Sequence, residues 1–438
     1  MVEQASRLSL FPSTAEVNDQ GHLVIGSCDT VDLATEFGTP LYLFDELNLR
    51  RRAAEFKTEF YQRYADTTVI YSCKAFINKA LLLLLMEEGL GLDLVSGGEI
   101  GIARSVNFPM DRVFFAGNNK SAEELILALE SGVGHIVVDN FHELEMLGEI
   151  ARTNGKIPNI LLRITPGVDP HTHQHITTGN VDSKFGIPLV LGEEAVTTAM
   201  SMPELKLIGL HFHIGSQIAE TEPYQQSIDT VLSFAAEMRQ KRGFELKEIS
   251  VGGGFAIQYT LDSPVPPIST HAEVITSSII SQCQKLEMEL PRLTIEPGRS
   301  MVGQAGVALY TAGVVKDIPG VRRYVSVDGG MADNIRPALY GARHEAVLAN
   351  KMRGDASDTV TIAGKFCESG DILIRDIVLP PISAGDIIAV AGCGAYCLTE
   401  SMNYNASFKP AVVLVKEGKA RLIRRRETLD DLTRCDIV

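Results

Sequence analysis

Residues 68–99, TVIYSCKAFINKALLLLLMEEGLGLDLVSGGE, decide the fold. The stretch opens on a short β-branched run at 68–72 and takes up helical spacing over 78–88. It returns to an apolar run at 92–95. Extended, helical, extended is one turn of a parallel α/β pattern. Working outward, further strands are expected at 113–116, 135–139, 160–164, 207–213, 248–252 and 293–296. Helical patterns fall between most of them, at 122–130, 141–153, 224–242 and 272–286. Eight strand-then-helix repeats predict an α/β fold of the (β/α)8 TIM-like barrel type. A doubly wound open sheet is the alternative, but it usually carries fewer repeats.

The pattern changes after Arg299. Runs at 307–315, 324–327, 359–363, 386–391 and 411–416 are strand-like and separated by Gly, Pro and Asp turns. This predicts a mainly β C-terminal domain. The segments at 22–25 and 41–44 also look extended and could complete it. The expected division is therefore a β domain of 1–38 with 300–438 around a barrel of 39–299. A chain of 438 residues accommodates both.

Composition narrows the function. Lys+Arg 40 against Asp+Glu 55 leaves a net charge of −15, which argues against nucleic acid as a partner. The most apolar run, 80–86, is far shorter than the ~20 residues of a membrane span. The N-terminus has no basic region followed by an apolar one, so no secretory signal is read there. Seven cysteines, an odd count without a CxxC pair, suit a reduced cytoplasmic protein. Cys393 and Cys397 read as core thiols, and residues 424–426 as a solvated basic patch. The alternating His171, His173 and His175 read as barrel-rim residues, so no metal is expected.

In such a barrel the active site lies at the C-terminal ends of the strands. The first strand ends in Lys74, and the second leads into Ser96-Gly97-Gly98-Glu99. The sixth ends in His211-Phe212-His213-Ile214-Gly215-Ser216, the seventh in Gly252-Gly253-Gly254, and the eighth in Glu296-Pro297-Gly298-Arg299. Glycines let backbone N–H groups approach a phosphate closely, although a short Gly run can also be only a tight turn. Lys74 could be a rim lysine or a desolvated amine able to form a Schiff base. Glu296 could be a rim carboxylate or the partner of a pyridine nitrogen, and His213 a core histidine or a ring that stacks on a flat cofactor. A phosphate cradle, a Schiff-base lysine and a carboxylate for a ring nitrogen together describe pyridoxal 5'-phosphate.

These residues carry a resemblance. The segments YSCKA (71–75), LVSGGE (94–99), GNNKS (117–121), RITPGVD (163–169), SKFGI (183–187), HIGSQ (213–217), GGGF (252–255) and EPGR (296–299) lie in the barrel. Downstream stand DGGMADNIRPALY (328–340), CESGD (367–371), GAY (394–396) and RRRETLDD (424–431). Over nearly its whole length the chain resembles the fold-type III pyridoxal phosphate-dependent decarboxylases, with an alanine racemase-like barrel, and among them the diaminopimelate decarboxylases.

The resemblance implies catalytic roles for Lys74, His213, Glu296 and Cys367, with the Cys367 thiol protonating the substrate carbon. It implies cofactor contacts from Lys74, Asp93, His213, Ser216, Gly253, Gly254, Glu296, Pro297, Gly298, Arg299 and Tyr396. Substrate contacts would come from Arg299, Arg336, Tyr340, Glu368 and Tyr396. A homodimer is implied as well, with Cys367 and Glu368 reaching the partner subunit's site. The implied reaction converts meso-2,6-diaminopimelate to L-lysine and CO2, the last step of lysine biosynthesis.

Charge supports that substrate. Its far end shows both a carboxylate, suited to the fork of Arg336, and an ammonium, suited to Glu368. Lysine or ornithine shows only an ammonium there, which a pocket arginine repels. Three positions depart from the family pattern: Phe76, Lys365 and the segment 397–402 that includes Glu400. They leave open a related decarboxylase acting on carboxynorspermidine, arginine, ornithine or lysine. A non-enzymatic regulator of this type should have lost Lys74 or Cys367, and an alanine racemase lacks CESGD.

Overall fold

The computed structural model describes residues 4–168 and 183–437, so His171, His173 and His175 lie outside the described residues. The chain divides into two compact units. One comprises Ala53–Ala256 with Val265–Gly298, and the other Met1–Arg52, Ile257–Pro264 and Arg299–Val438.

In the first unit the strands are Thr67–Ser72, Gly91–Leu94, Val113–Phe115, His135–Val138, Asn159–Thr165, Lys206–His211, Glu248–Ser250 and Arg292–Ile295. Each pairs in parallel with the next. The last returns to the first, with Ile295 opposite Val69, and closes an eight-stranded barrel. A short segment, Ile187–Pro188, adds to the edge of the fifth strand.

Local chemistry fixes the helices between the strands. Asn78 caps Lys79–Glu87 by accepting the Leu81 N–H. Four of that helix's leucines are buried while Leu83 faces out, so the leucine run is an amphipathic stripe. Ser121 and Glu124 form a reciprocal capping box at the start of Ala122–Ser131. Gly132, Gly155 and Gly243 end their helices in the left-handed conformation. Pro267 starts Ile268–Lys285 four residues ahead of the expected 272, because proline suits a helix entry that apolar periodicity does not report.

The second unit is built on the strand Gly306–Ile318. On one side it pairs with Arg322–Val327, followed by Asp358–Ala363 and Ile372–Leu379. On the other it pairs antiparallel with Leu41–Asp45, which pairs in parallel with Ala411–Lys416, followed by Lys419–Arg424. Ile387–Val390 joins Gly306–Ile318 to Ala346–Leu348.

Leu41–Asp45 is buried along its whole length, as a strand with neighbours on both edges and cover on both faces must be. The chain therefore leaves the second unit after Arg52, not at the expected 38/39. The first forty residues are also less extended than expected. Thr30–Phe37 is a helix capped by Asp29, and Gln4–Leu10 forms a 3-10 turn. The strands Ile372–Leu379, Ala346–Leu348 and Lys419–Arg424 were not expected. No helix among the described residues is long and apolar enough to cross a membrane, and no group of three or more His, Cys, Asp or Glu among them could hold a metal.

Candidate active site

Four strand ends of the barrel gather a buried charge cluster. Lys74 sits in the single turn Cys73–Ala75 that follows the first strand. Its Nζ lies 3.7 Å from Oδ2 of Asp93, on the second strand. Ser72 Oγ donates to the same oxygen at 2.9 Å. The other oxygen, Asp93 Oδ1, is buried with no hydrogen-bond partner. Burial pushes the Asp93 carboxyl up, against the pull of Lys74. The Lys74 side chain is 41% exposed beside the buried Asp93.

Glu296 follows the eighth strand. Its Oε1 accepts from Ser250 Oγ at 2.7 Å and lies 3.2 Å from His211 Nε2. Burial alone would raise the Glu296 carboxyl, but His211 and Ser250 outweigh it and hold the group at about 2. Glu296 is therefore ionised at neutral pH. Burial first, then Lys74, holds the His213 imidazole well below its usual range, so the ring is neutral. The Gly253 N–H donates to His213 Nδ1 at 3.3 Å, which assigns the ring proton to Nε2.

The glycine triplet has a steric cause. Gly252 and Gly254 have φ of 71° and 104°, in the region that favours glycine. A Cβ on Gly253 would fall 2.2 Å from the Glu296 carbonyl oxygen, and one on Gly254 2.6 Å from that of Gly215. Tyr224 Oη donates to the Gly253 carbonyl at 2.8 Å and fixes the turn. Gly298 packs with its Cα side against Ser72, where a Cβ would sit 3.0 Å from Ser72 Cβ, and the Pro297 carbonyl accepts from the Ser72 N–H. Ser216 is partly buried in the loop after the sixth strand.

Asp93, Lys74, His213, Ser216, Gly253, Gly254, Glu296, Pro297 and Gly298 all belong to this unit. Sequence reasoning gave no role to Arg163, His211 or Ser250. Arg163, on the fifth strand, lies 3.5 Å from Asp139 and over the Phe185 ring. The available signal for His211 was its place two residues before His213, where strand alternation puts both side chains on one face.

These groups fit pyridoxal phosphate. An accessible lysine amine stands beside a buried, unpartnered carboxylate oxygen, and a second carboxylate is held ionised with its own hydrogen bonds. The neighbouring turn is stripped of side chains and presents backbone N–H groups.

The second unit holds the remaining expected residues. Arg299 and Arg336 are only 7% and 6% exposed. Arg299 Nη1 donates to Tyr259 Oη at 2.7 Å, and its guanidinium lies 4.7 Å from the centre of the Tyr396 ring. Arg336 lies 4.5 Å from the centre of the Tyr259 ring, and its Nη1 is 3.3 Å from His344 Nε2. His344 Nδ1 faces the Ala391 carbonyl at 3.0 Å and so carries the ring proton. Burial, then Arg336, lowers His344 to about 3, leaving Nε2 as an acceptor for the guanidinium.

Tyr396 has a φ of 60°, a conformation that costs about 1–3 kcal/mol outside glycine. Tyr340 Oη lies 3.5 Å from Glu400 Oε1. Cys367 and Glu368 are exposed, with the Cys367 N–H bonded to Asn405 Oδ1 and its carbonyl to Tyr404 Oη. Cys393 and Cys397 are buried, as expected of core thiols. Tyr259 and His344 lie outside the quoted motifs, and nothing in the local pattern marked them.

A closed parallel barrel whose strand ends carry this lysine, carboxylate and glycine set, followed by a β unit, defines a pyridoxal phosphate-dependent enzyme. Residues 47–303 match the family model for the pyridoxal-dependent decarboxylase, pyridoxal binding domain. The chain is 46% identical to the diaminopimelate decarboxylase of Bacillus subtilis over 427 residues, 97% of each chain. It superposes on the M. jannaschii diaminopimelate decarboxylase in complex with L-lysine with a TM-score of 0.92 at 35% identity, over 98% of each chain. The Helicobacter pylori enzyme, also complexed with L-lysine, gives 0.86 at 31% identity, over 93% of this chain and 98% of that one. The chain belongs to the diaminopimelate decarboxylase family of pyridoxal phosphate-dependent decarboxylases.

Proposed function

We propose that the protein decarboxylates meso-2,6-diaminopimelate to L-lysine and CO2. The observation that carries this reading is Arg336, buried and oriented by the Tyr259 ring and the neutral His344. A guanidinium held in that way is a receptor for a carboxylate. The substrate has one at its far end; lysine, ornithine and other simple diamino acids do not.

The roles divide by chemistry. Lys74, beside Asp93, would hold the cofactor through its amine. Glu296, ionised at neutral pH, would favour a proton on the cofactor's ring nitrogen. Ser216, Gly253, Gly254, Pro297, Gly298, Arg299 and Tyr396 surround the phosphate and its neighbourhood. His213 would pack on the ring as a neutral imidazole, which adds no competing positive charge. When bound, the cofactor accepts the electron pair left on the substrate carbon as CO2 departs.

Arg299, Arg336, Tyr340 and Tyr396 hold the substrate, and Glu368 takes its far ammonium. The Cys367 thiol returns a proton to the reacting carbon. Cys367 and Glu368 are exposed, as residues that serve a partner subunit's site in a homodimer would be. In domain terms we assign most of the cofactor contacts to the barrel, and substrate selection, with the phosphate contacts of Arg299 and Tyr396, to the second unit.

The test is CO2 release by purified, cofactor-loaded protein offered meso-diaminopimelate, L-lysine, L-ornithine and L-arginine. Release from the first alone is expected, and faster turnover of any other overturns the substrate assignment. The native protein should show the near-ultraviolet to visible absorbance of lysine-bound cofactor. A Lys74→Ala variant that keeps that absorbance overturns the role of Lys74.

A further inference from the structure

Glu400 stands where a carboxylate has a price and no purpose in packing alone. It lies just after Tyr396, in the short 3-10 turn Leu398–Glu400. One carboxylate oxygen, Oε1, is at the limit of hydrogen-bond distance from Tyr340 Oη, at 3.5 Å. The other, Oε2, is buried with no hydrogen-bond partner. A buried carboxylate oxygen left without a donor is costly, so an apolar side chain would be the stable choice at such a position. Burial raises the Glu400 carboxyl on balance, against the opposing pull of Arg336 and then Arg299. Burial, and then the same carboxylate, raises the Tyr340 hydroxyl. Glu400 thus acts electrically on three side chains already assigned to the substrate.

We propose that Glu400 is a specificity-determining residue, which sets the charge of the group that receives the substrate's far end and selects a far end bearing an ammonium beside its carboxylate. This rests on the function proposed above. Two arginines alone present two positive charges, which favour a far end that is purely anionic. Two arginines with an ionised Glu400 present one, with a negative pole beside the positive one. That arrangement is complementary to a zwitterionic amino acid group, whose carboxylate faces the guanidinium and whose ammonium faces the carboxylate. Glu400 supplies this pole from the same unit as Arg336, in addition to anything Glu368 contributes.

The experiment compares two substrates that differ only at the far end, using the cofactor-loaded enzyme. One is meso-diaminopimelate. The other is D-2-aminopimelate, which keeps the reacting amino acid group and the far carboxylate but lacks the far ammonium. The variant Glu400→Gln keeps the size and the reach to Tyr340 while removing the charge. We expect the ratio of kcat/KM for diaminopimelate over aminopimelate to fall about tenfold or more in Glu400→Gln, the size of one charge-assisted interaction. Glu400→Asp should keep most of the selectivity. Calorimetric titration with L-lysine, which presents the same zwitterionic group, should show a matching loss of affinity in Glu400→Gln.

A purely structural role would lower both substrates together and leave the ratio unchanged, and that result overturns the proposal. So does a Glu400→Gln variant that binds L-lysine as the native protein does. If the native enzyme turns over diaminopimelate but the ratio does not move, only the role of Glu400 falls. If the native enzyme releases no CO2 from diaminopimelate, the proposed function and the role of Glu400 fall together.

Discussion

At the barrel's strand ends, buried charge is met by opposite charge or by fixed polar partners: Asp93 by Lys74, Arg163 by Asp139, and Glu296 by Ser250 and the His211 ring. In the second unit Arg299 and Arg336 are as deeply buried, yet the groups that orient them include the Tyr259 and Tyr396 rings, a phenol and a neutral imidazole, and Glu400 offsets only one of their two charges. The first arrangement stores fixed charge for a permanent guest. The second leaves positive potential to be neutralised by a transient one. Aromatic faces and a lone pair orient a guanidinium without cancelling it, whereas a carboxylate would do both.

Substitutions can break this contrast from either side. The largest effect should come from Glu296→Gln. It keeps the shape but removes the charge that His211 and Ser250 stabilise, and we expect kcat to fall by about 10²-fold or more with cofactor absorbance retained. An equal rise in KM with unchanged kcat would place Glu296 with the substrate instead. Next is Arg336→Met, which should raise KM for diaminopimelate by about 10- to 100-fold and leave the cofactor's absorbance untouched. Loss of cofactor in that variant would erase the proposed division of labour between the two regions.

The smallest effect is on stability. His344 is held at about 3, below its usual 6.5, by burial and by Arg336. The folded protein therefore refuses a proton that the unfolded chain accepts. The stability contributed by the neutral ring is complete above pH 6.5 and is lost progressively as pH falls from 6.5 toward 3. His344→Gln should flatten that part of the profile, read as the change in urea midpoint between pH 7.5 and 5.5. An undiminished slope in the variant would assign the acid sensitivity to other groups, His213 first among them.

The two regions also differ in how far the sequence discloses them. The barrel's strands and most of its helices announce themselves by period, because each strand is a short apolar run between amphipathic helices. Lys74, His213, Gly253, Gly254 and Glu296 follow directly, since a strand end is a fixed address in such a barrel. The surroundings of Arg336 have no such address. Tyr259 comes from a loop after the seventh strand, His344 from a segment without regular structure, and Tyr396 from a residue in a left-handed conformation. Their meeting is a product of tertiary folding. The resemblance could name Arg336 and Tyr396, but neither it nor periodicity named Tyr259 or His344.

The strand Leu41–Asp45 has a consequence for how the molecule is made. Its two partners, Gly306–Ile318 and Ala411–Lys416, lie hundreds of residues downstream. During synthesis at ~5–20 residues per second, the strand emerges roughly 20 to 70 s before Ala411–Lys416 exists to pair with it. The barrel's neighbours in sequence are also neighbours in space, so that unit can close while the ribosome is still working. The N-terminal strand, apolar and unpaired on both edges, must be kept from other chains until the last strands are released.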